Sequence, residues 1–435
     1  MTADAPTAEP KRASFAEVIR HRRLANGARL YVLENRWNPT LAISGSLQAG
    51  RIYAPPERRL IASVAASELM KGTARRTKLV LAEDLESRAA SLSFSSDAAD
   101  PVGVDISGAA LSRDTDRLLD ALVEVLRTPV FPEDELEKER KRIVGSIRQQ
   151  QDQTSTRAFE AALRRVYPAA HPHHRLTGDE RIARVEALRR ADLADYYEER
   201  YGAASLCLVV VGDVDAERIL DRLEEGLASW KTGPAPAIPA PEVPPPAPGR
   251  EIVAMPDKAS ADVVLALPAD LKRTDFDFLP CSLANSALGQ SSLTSRLGVR
   301  VRDTEGLTYG IHSSFTATHV AGPFVVSLTV KPESRDAALA STLDEIRSFV
   351  KGGLTDKELS EEKSSRIGRF KVDLGSNAGI AQALDAAIYY GFGVSYLDEF
   401  PAKVAAVTKD QADAAFASRV SPEAFTIVSA GSFGG

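Results

Sequence analysis

Side chains that bind metals or act as nucleophiles are scarce in this 435-residue chain. It contains six histidines and two cysteines, and no histidine falls between residues 22 and 170. Cys207 and Cys281 lie in apolar segments, which predict buried free thiols. We find no Ser/His/Asp or Cys/His arrangement, so the sequence gives little support to a nucleophilic enzyme that acts alone.

The densest group of histidines is His-Pro-His-His at residues 171–174. Pro172 predicts a loop, and no cysteine or glutamate stands at metal-ligand spacing beside it. We therefore interpret this segment as a packing or capping loop rather than as a metal site.

The stretch ASVAASELMKGT, residues 62–73, has the apolar periodicity of a helix that ends at Lys-Gly-Thr. We expect the helix to span residues 60–71. Its only carboxylate is Glu68, and one carboxylate without further ligands does not hold a catalytic zinc ion.

Two polar stretches follow in the second half, LGQSSLTSRL at 288–297 and VRDTEGLTYG at 301–310. Arg302 and Tyr309 carry a guanidinium and a phenol hydroxyl, which can donate hydrogen bonds to a peptide carbonyl or to an oxyanion. An arginine and a tyrosine seven residues apart do not by themselves predict a site.

The composition is ordinary for a globular protein that stays in water. Apolar residues make up 44% of the chain, enough for sizeable cores, and a net charge of −6 gives no reason to expect nucleic acid as a partner. No apolar run reaches the roughly 18 residues of a membrane span, and the N-terminus has no apolar signal region. We expect a cytoplasmic protein without a membrane partner.

A duplication organises the chain. Residues 113–147 and 335–370 both open with Arg-Asp, continue as a helix, turn, and begin a second helix at a similar Glu-Leu, at an offset of about 222 residues. Between the halves lies GPAPAIPAPEVPPPAPGR, residues 233–250, whose Pro/Ala composition favours an extended linker. We predict four parts: an N-terminal extension at 1–23, a domain at 24–232, the linker, and a domain at 251–435.

Within each half the pattern predicts strands, then helices, then a strand. In the first half we expect strands at 28–35 and 40–50, two more around an Asp-Pro turn in 90–111, and a last one at 206–214. Helices are expected at 113–127, 133–150, 156–166 and 190–200. This order predicts an α+β fold, with a mixed sheet covered by helices in each half.

These features together make the chain resemble the M16 (insulinase/pitrilysin) family of metallopeptidases, in the short form that works as paired chains. The resemblance begins near residue 24 and covers nearly all of the remaining chain. It rests on the following sequence features in order: QAGRIYAPP, the helix ending in MKGT, the Glu-Arg pair at 139–140, HPHHRLTG, LVVVGDV, LGQSSLTSRL and VRDTEGLTY.

The resemblance implies that the zinc site is lost. Active members carry His-x-x-Glu-His before the Lys-Gly-Thr stop, so that two histidines on one helix face hold zinc and the glutamate acts as general base. The matching positions are Ser63, Ala66 and Ser67. The third ligand, seven residues after Glu139, is matched by Ser146, and the resemblance therefore implies no metal in this chain.

The resemblance also implies roles in the second half. Arg302 and Tyr309 match the pair that reaches into the active site, which makes them the expected catalytic and substrate-binding donors. Gly289, Ser291 and Ser292 match a substrate-binding loop that is glycine-rich in some non-catalytic members. Because few glycines are present here, a turn leading into the Arg302 segment is the alternative for this stretch.

Our leading hypothesis is a non-catalytic subunit that lends Arg302 and Tyr309 to the zinc site of a partner M16 chain. Zinc is then expected only in that partner, and the substrate is a peptide bound in an extended conformation. The net negative charge weakly favours basic peptides. The short paired form is similar to the two-component protease that trims the precursor peptide of pyrroloquinoline quinone. A more specific version of the hypothesis makes this chain the zinc-free partner in that protease.

Two alternatives stay open. The fold could serve as a structural or peptide-binding scaffold without a role in catalysis, in which case no partner would gain peptidase activity from this chain. A stand-alone enzyme with a new site is the third possibility, and the scarcity of nucleophiles and bases argues against it.

Overall fold

A computed structural model describes residues 14–96 and 99–433. Most of the predicted N-terminal extension, residues 1–13, lies outside the described residues. Residues Arg20–Arg23, also placed in that extension, form an edge strand of the first sheet. The domain boundaries themselves stay a prediction.

The first half contains a six-stranded mixed sheet. Its spatial order is β1-β2-β6-β3-β5-β4, with β2 and β6 parallel and the other neighbours antiparallel. The strands are β1 Arg20–Arg23, β2 Arg29–Glu34, β3 Thr40–Leu47, β4 Ser91–Ser95, β5 Val104–Leu111 and β6 Cys207–Gly212.

The second half contains a five-stranded sheet in the order β7-β11-β8-β10-β9. Here β7 and β11 are the parallel pair. Its strands are β7 Gly249–Ala254, β8 Ala261–Pro268, β9 Gly310–Ala317, β10 Ala321–Val330 and β11 Thr426–Gly431. Strand β7 takes in the last two residues of the predicted linker, so the extended connection ends at residue 248.

The two sheets have the same topology. If β1 is set aside, the order β2-β6-β3-β5-β4 and the order β7-β11-β8-β10-β9 describe the same path, with the parallel pair in the same place. The structure therefore confirms the predicted α+β class and the duplication of one mixed-sheet unit.

Helices cover both sheets within the described residues. In the first half these are α1 Phe15–Val18, α2 Ile61–Glu68, α3 Lys78–Glu86, α4 Thr115–Arg127, α5 Glu133–Gln151, α6 Thr154–Val166, α7 Gly178–Glu186, α8 Arg190–Arg200 and α9 Ala216–Leu227. In the second half they are α10 Phe278–Asn285, α11 Arg335–Gly352, α12 Asp356–Asp373, α13 Asn377–Tyr389, α14 Tyr396–Ala406 and α15 Lys409–Arg419. Two π-helical turns, Ser286–Gln290 and Gly298–Thr304, follow α10.

Local signals account for several of these boundaries. Gly353, in the left-handed region at φ +68°, ends α11, and Thr355 then forms a capping box with Glu358 to start α12. The predicted helix at 60–71 is α2 followed by a single 3₁₀ turn, Leu69–Lys71. The strands and helices expected from periodicity in the first half all form within two or three residues of their predicted ends.

The halves exchange one helix each. Helix α6 of the first half packs on β8 and β11 of the second sheet, whereas α13 of the second half packs on β3 and β6 of the first sheet. Apolar side chains of α13, including Leu384 and Ile388, share a core with Val209 and Val211. Asp385 of the same helix accepts hydrogen bonds from the Ser44 and Ser46 hydroxyls, at 2.9 and 3.2 Å. The two halves are therefore joined by buried surfaces as well as by the linker.

Candidate functional site

The helix expected to have lost its metal ligands lies against the middle of α5. The Ser63 hydroxyl donates to the Leu60 carbonyl at 3.0 Å, and the Ser67 hydroxyl lies 3.0 Å from the Val64 carbonyl. Both serines thus bond to their own helix, as serines in helices often do. Ala66 has no polar atom, and the Ser146 hydroxyl accepts a hydrogen bond from the Gln150 amide at 3.3 Å.

These four positions do not fit a zinc ion. Zinc sites in proteins use thiolate, imidazole or carboxylate ligands. Within residues 14–96 and 99–433, no group of three or more histidine, cysteine, aspartate or glutamate side chains is arranged to hold a metal.

Two carboxylates are buried beside the altered helix. Glu139 of α5 forms an ion pair with Arg142 at 2.6 Å, which lowers its pKa, and it lies 3.2 Å from the Ser67 hydroxyl. Glu68 is fully buried, and neither of its oxygens has a hydrogen-bond partner within the described structure. Burial raises the pKa of Glu68 to about 7, with a further contribution from the charge of Glu139.

A cleft of about 660 Å³ opens between the two halves, next to α2. Leu60 and Ser63 line it on one side, and Asp262, Val264 and Ser327 of the second sheet line it on the other. Its charged side chains are mainly basic, namely Arg51, Arg59, Arg175 and Arg181, with Glu160 and Asp262 as the acidic ones. The Arg181–Glu160 pair at 2.8 Å neutralises one of these cations.

The His-Pro-His-His segment forms part of the wall near this cleft. His171 stacks on Tyr167 with ring centroids 4.3 Å apart, and His173 is almost fully buried. Burial lowers the pKa of both imidazoles, to about 4 for His171 and about 2 for His173, which keeps them neutral. The structure thus confirms the interpretation of this segment as a packing loop.

Arg302 lies in the second π-helical turn and is partly accessible, with 35% of its side chain exposed. Its Nη1 donates to the Ser292 carbonyl at 3.5 Å, and Asp303 is 3.9 Å away. These weak contacts leave donors of the guanidinium available to another group.

Tyr309 immediately precedes β9, and 60% of it is exposed. Its backbone N–H donates to the Thr329 carbonyl at 2.9 Å, which fixes its position beside β10. Gly310 pairs with Thr329, and Thr329 pairs with Asp262 of the cleft wall. Since neighbouring strands lie about 4.8 Å apart, Gly310 is roughly 10 Å from that wall.

Ser292 connects these two residues. Its carbonyl faces Arg302, and its hydroxyl donates to the Ile311 carbonyl at 2.8 Å, just beyond Tyr309. Ser291 accepts the Thr294 backbone N–H at 3.1 Å and so closes a turn. The structure therefore brings Ser292, Arg302 and the start of β9 together, while the substrate-binding roles of Ser291 and Ser292 stay a prediction.

Gly289 is required by packing rather than by flexibility. A Cβ atom at this position would lie 2.3 Å from the Ser313 hydroxyl oxygen and 2.9 Å from Leu297 Cδ1. The Gly289 backbone is thus pressed against β9. Within the stretch 288–297, residues 292–294 form a turn that follows the π-helical turn Ser286–Gln290 and leads into the segment of Arg302.

The two sheets differ at their equivalent edge strands, β4 and β9. On β9, the Ile311 and Ser313 carbonyls already accept hydrogen bonds from Ser292 and from the Asn285 amide. On β4, by contrast, Ser91, Ser93 and Ser95 are exposed.

Sequence reasoning missed the basic lining of the cleft. Arg51, Arg59, Arg175 and Arg181 lie more than 100 residues apart in two groups, and no local pattern joins them. It also missed the orphaned state of Glu68, although a charged residue within an apolar-periodic helix was the available signal.

Comparison with known families places this geometry in context. Residues 187–366 match the family model described as the peptidase M16 inactive domain. The matched range begins just before α8, crosses the linker and ends within α12.

Curated relatives and solved structures extend the likeness to most of the chain. An uncharacterized zinc protease of Streptomyces coelicolor is 23% identical over 317 residues, which cover 69% of this chain and 66%, just under two thirds, of that protein. The non-peptidase homologue YmxG of Helicobacter pylori is 22% identical over 355 residues, covering 81% of this chain and 80% of that protein. The crystal structure of a peptidase M16 inactive domain from Pseudomonas fluorescens shares 25% identity, covers 96% of this chain and 98% of that chain, and has a TM-score of 0.85.

These findings show similarity to M16 peptidase proteins, of the inactive-domain type over residues 187–366, with both an uncharacterized zinc protease and a non-peptidase homologue among the relatives. They leave the identity of any partner chain open. Among the described residues, no helix has the length and apolar character needed to cross a membrane.

Proposed function

We propose that this chain, similar to the M16 inactive domain over residues 187–366, is the zinc-free subunit of a two-chain peptidase that works in the cytoplasm. One observation carries the proposal. All four positions of the zinc site lack ligands, whereas Arg302 and Tyr309 are accessible and weakly held. A donor pair kept without its metal suits a site completed by another chain.

The chemistry assigned to this chain is hydrogen-bond donation. The partner's zinc ion would activate the water that attacks the peptide carbonyl. The Arg302 guanidinium and the Tyr309 hydroxyl would then bind the oxyanion that forms, where donors are worth most because the charge is developing. Arg302 would also orient the substrate carbonyl before the attack.

The first test is peptide cleavage by this chain alone, by a zinc-bearing M16 chain alone, and by the two mixed. We expect turnover only, or mainly, in the mixture. Activity of this chain alone would contradict the loss of the zinc site, and no gain on mixing would contradict the subunit role.

The second test is Tyr309→Phe in the active mixture. Loss of one oxyanion donor should lower kcat by about 100- to 1,000-fold without disturbing assembly. Tyr31→Phe, which removes a hydroxyl from β2 in the first half, is the matched control and should be neutral. An unchanged kcat in Tyr309→Phe would remove the proposed role of this side chain.

The substrate class is part of the proposal. The net charge of −6 favours basic peptides only weakly, because surface charges farther away than about 10 Å are screened at physiological salt. The precursor peptide of pyrroloquinoline quinone is the first specific substrate to try.

A scaffold without a catalytic role is the second candidate, and similarity to a non-peptidase homologue favours it. This candidate predicts that the chain pairs with a partner, or binds peptide, without changing kcat. Arg302→Ala and Tyr309→Phe would then leave all activities of the complex unaltered.

A further inference from the structure

A second cleft, of about 210 Å³, lies within the second half, between α10, α12 and β9. Arg273, five residues after β8, and Arg366, in the middle of α12, both line it. Ser282, Gln290 and His312 contribute further polar groups to its wall. Two half-buried cations therefore face one small polar space.

Neither arginine is neutralised within the described structure. Arg366 Nη2 donates to the Ser282 hydroxyl at 2.6 Å, and the Arg273 guanidinium lies 4.1 Å from the centroid of the Phe278 ring. No carboxylate of the described residues lies within 4 Å of either group. Burial lowers the pKa of both guanidinium groups, and the charge of Arg273 lowers that of Arg366 further.

A third arginine next to the same helix shows how this chain treats a purely structural cation. Arg296 forms a two-pronged ion pair with Glu358 at the start of α12, at 2.6 and 2.7 Å, and also stacks on Phe349. Holding a cation away from water without such a partner costs free energy, and two like charges add to that cost. Arg273 and Arg366 lack the compensation that Arg296 has.

We infer that this cleft binds a carboxylate group, held by the guanidinium groups of Arg273 and Arg366. The planar fork of arginine matches the two oxygens of a carboxylate. Glu362, one turn before Arg366, raises the pKa of that arginine through its own charge and accepts a hydrogen bond from Ser286. With this negative charge nearby, a carboxylate group with its one negative charge balances the site better than a phosphate, whose single group can carry two.

The carboxylate could belong to an acidic side chain or the C-terminus of a peptide, or to a small free acid. All three present the same group, so the site alone does not choose between them. The cleft is formed by the second half of this chain and does not involve α2, Arg302 or Tyr309, so the inference does not rest on the proposed function.

The test is calorimetric titration of the full chain with succinate, with an acidic tetrapeptide and with inorganic phosphate. We expect binding of a carboxylate probe, and at least about a tenfold loss of affinity in Arg366→Gln and in Arg273→Gln, because charged fork contacts are strong. Lys371→Gln, an exposed position near the end of α12, is the matched control and should bind as the native chain does. Tighter binding of the tetrapeptide would identify a peptide source, and equal or tighter binding of succinate a free acid.

Three results would overturn the inference: no binding of either carboxylate, tighter binding of phosphate, or unchanged affinity in both glutamine variants. If the glutamine variants do not fold, thermal unfolding of the native chain and of Arg366→Lys decides instead. A bound carboxylate should raise the Tm of the native chain with increasing concentration, and less so in Arg366→Lys, which keeps the charge but loses the fork. An equal rise in both proteins, or no rise in either, would count against the site.

Discussion

The α2/α5 pair of the first half and the α10/α12 pair of the second occupy equivalent places in the two sheets, yet their polar groups have opposite charge. The first pair buries the carboxylates Glu68 and Glu139. The second pair encloses a cleft lined by Arg273 and Arg366, with the hydroxyl of Ser282 in contact with Arg366. The same topology thus supports two different electrostatic environments.

The two halves therefore share the placement of these helices but not the charge of the side chains between them. The helix after β3 presents Ser67 to Glu139 of α5, and the helix after β8 presents Ser282 to Arg366 of α12. Which charge stands there depends on single residues. Neither environment now suits a zinc ion.

A second contrast exists inside the first half. Glu139 has Arg142 as its ion partner and the Ser67 hydroxyl beside it, and its pKa is lowered. Glu68, the neighbouring buried carboxylate, has no hydrogen-bond partner within the described structure, and its pKa is raised. The two carboxylates should therefore affect stability with opposite dependence on pH.

The largest effect is expected from Glu68→Gln. The folded-state pKa of Glu68 is about 7 and its ordinary value is 4.5, so the native chain should lose stability as the pH rises between these values. Because glutamine carries no charge, the free energy of unfolding of the variant relative to the native chain should be higher by roughly 3 kcal/mol at pH 8 and should change little near pH 4.5. Urea unfolding at both pH values measures the difference, with the exposed Glu86→Gln as control. A variant that is no more stable at pH 8, relative to pH 4.5, would mean that Glu68 is solvated or paired.

A smaller effect of opposite pH dependence is expected from Arg142→Ala. It leaves Glu139 with only the Ser67 hydroxyl, and should lower the free energy of unfolding by about 1–2 kcal/mol at pH 7, because Arg142 is itself largely exposed. The lowered pKa of Glu139 means that its stabilisation is present above pH 4.5 and is lost as the pH falls through the folded pKa. The difference between variant and native chain should shrink accordingly in acid. Arg148→Ala, on the exposed side of the same helix, is the control, and equal destabilisation by both would show that the Glu139–Arg142 ion pair is not the cause.

The smallest effect tests the equivalence of the halves directly. Gly145 of α5 and Gly368 of α12 are both exposed, and a Cβ atom added at either one meets no atom within 4 Å. Alanine should therefore raise the free energy of unfolding by about 0.5–1 kcal/mol at each site through helix propensity. The double variant should show the sum, since the sites are far apart. A gain at one site only would show that the two long helices contribute differently to the measured unfolding transition.

Much of the fold could be predicted because it depends on local patterns. The strands of the first half and helices α4, α5, α6 and α8 follow from periodicity that the chain shows over short distances. Helices α3, α7 and α9 were not predicted. The apolar face of α3 is weak, whereas α9 has a regular one, formed by Ile219, Leu220, Leu223 and Leu227, that could have been recognised. The exchange of α6 and α13 between halves was also missed, since both helices have an apolar face and nothing in the sequence says which sheet will cover it.

The features of the candidate site are also of two kinds, those that depend on residue type and those that depend on contacts between distant residues. The absence of zinc ligands at Ser63, Ala66, Ser67 and Ser146 is a matter of residue type, and no folding changes what these side chains can bind. The position of Ser292 between Arg302 and β9, the close packing of Gly289 and the unpaired state of Glu68 are matters of contact. These three features could be found only from the tertiary structure.

The sequence by itself determined the duplicated α+β class, the lost metal ligands and the presence of an Arg/Tyr donor pair, because each depends on residue types and short-range order. The tertiary structure alone decided which charges meet. It placed the cleft arginines next to α2, Arg273 beside Arg366, and Asp385 under Ser44 and Ser46. Such pairs join residues that are about 100 to 340 positions apart, and only the burial of apolar surface in the two sheets and their exchanged helices brings them together.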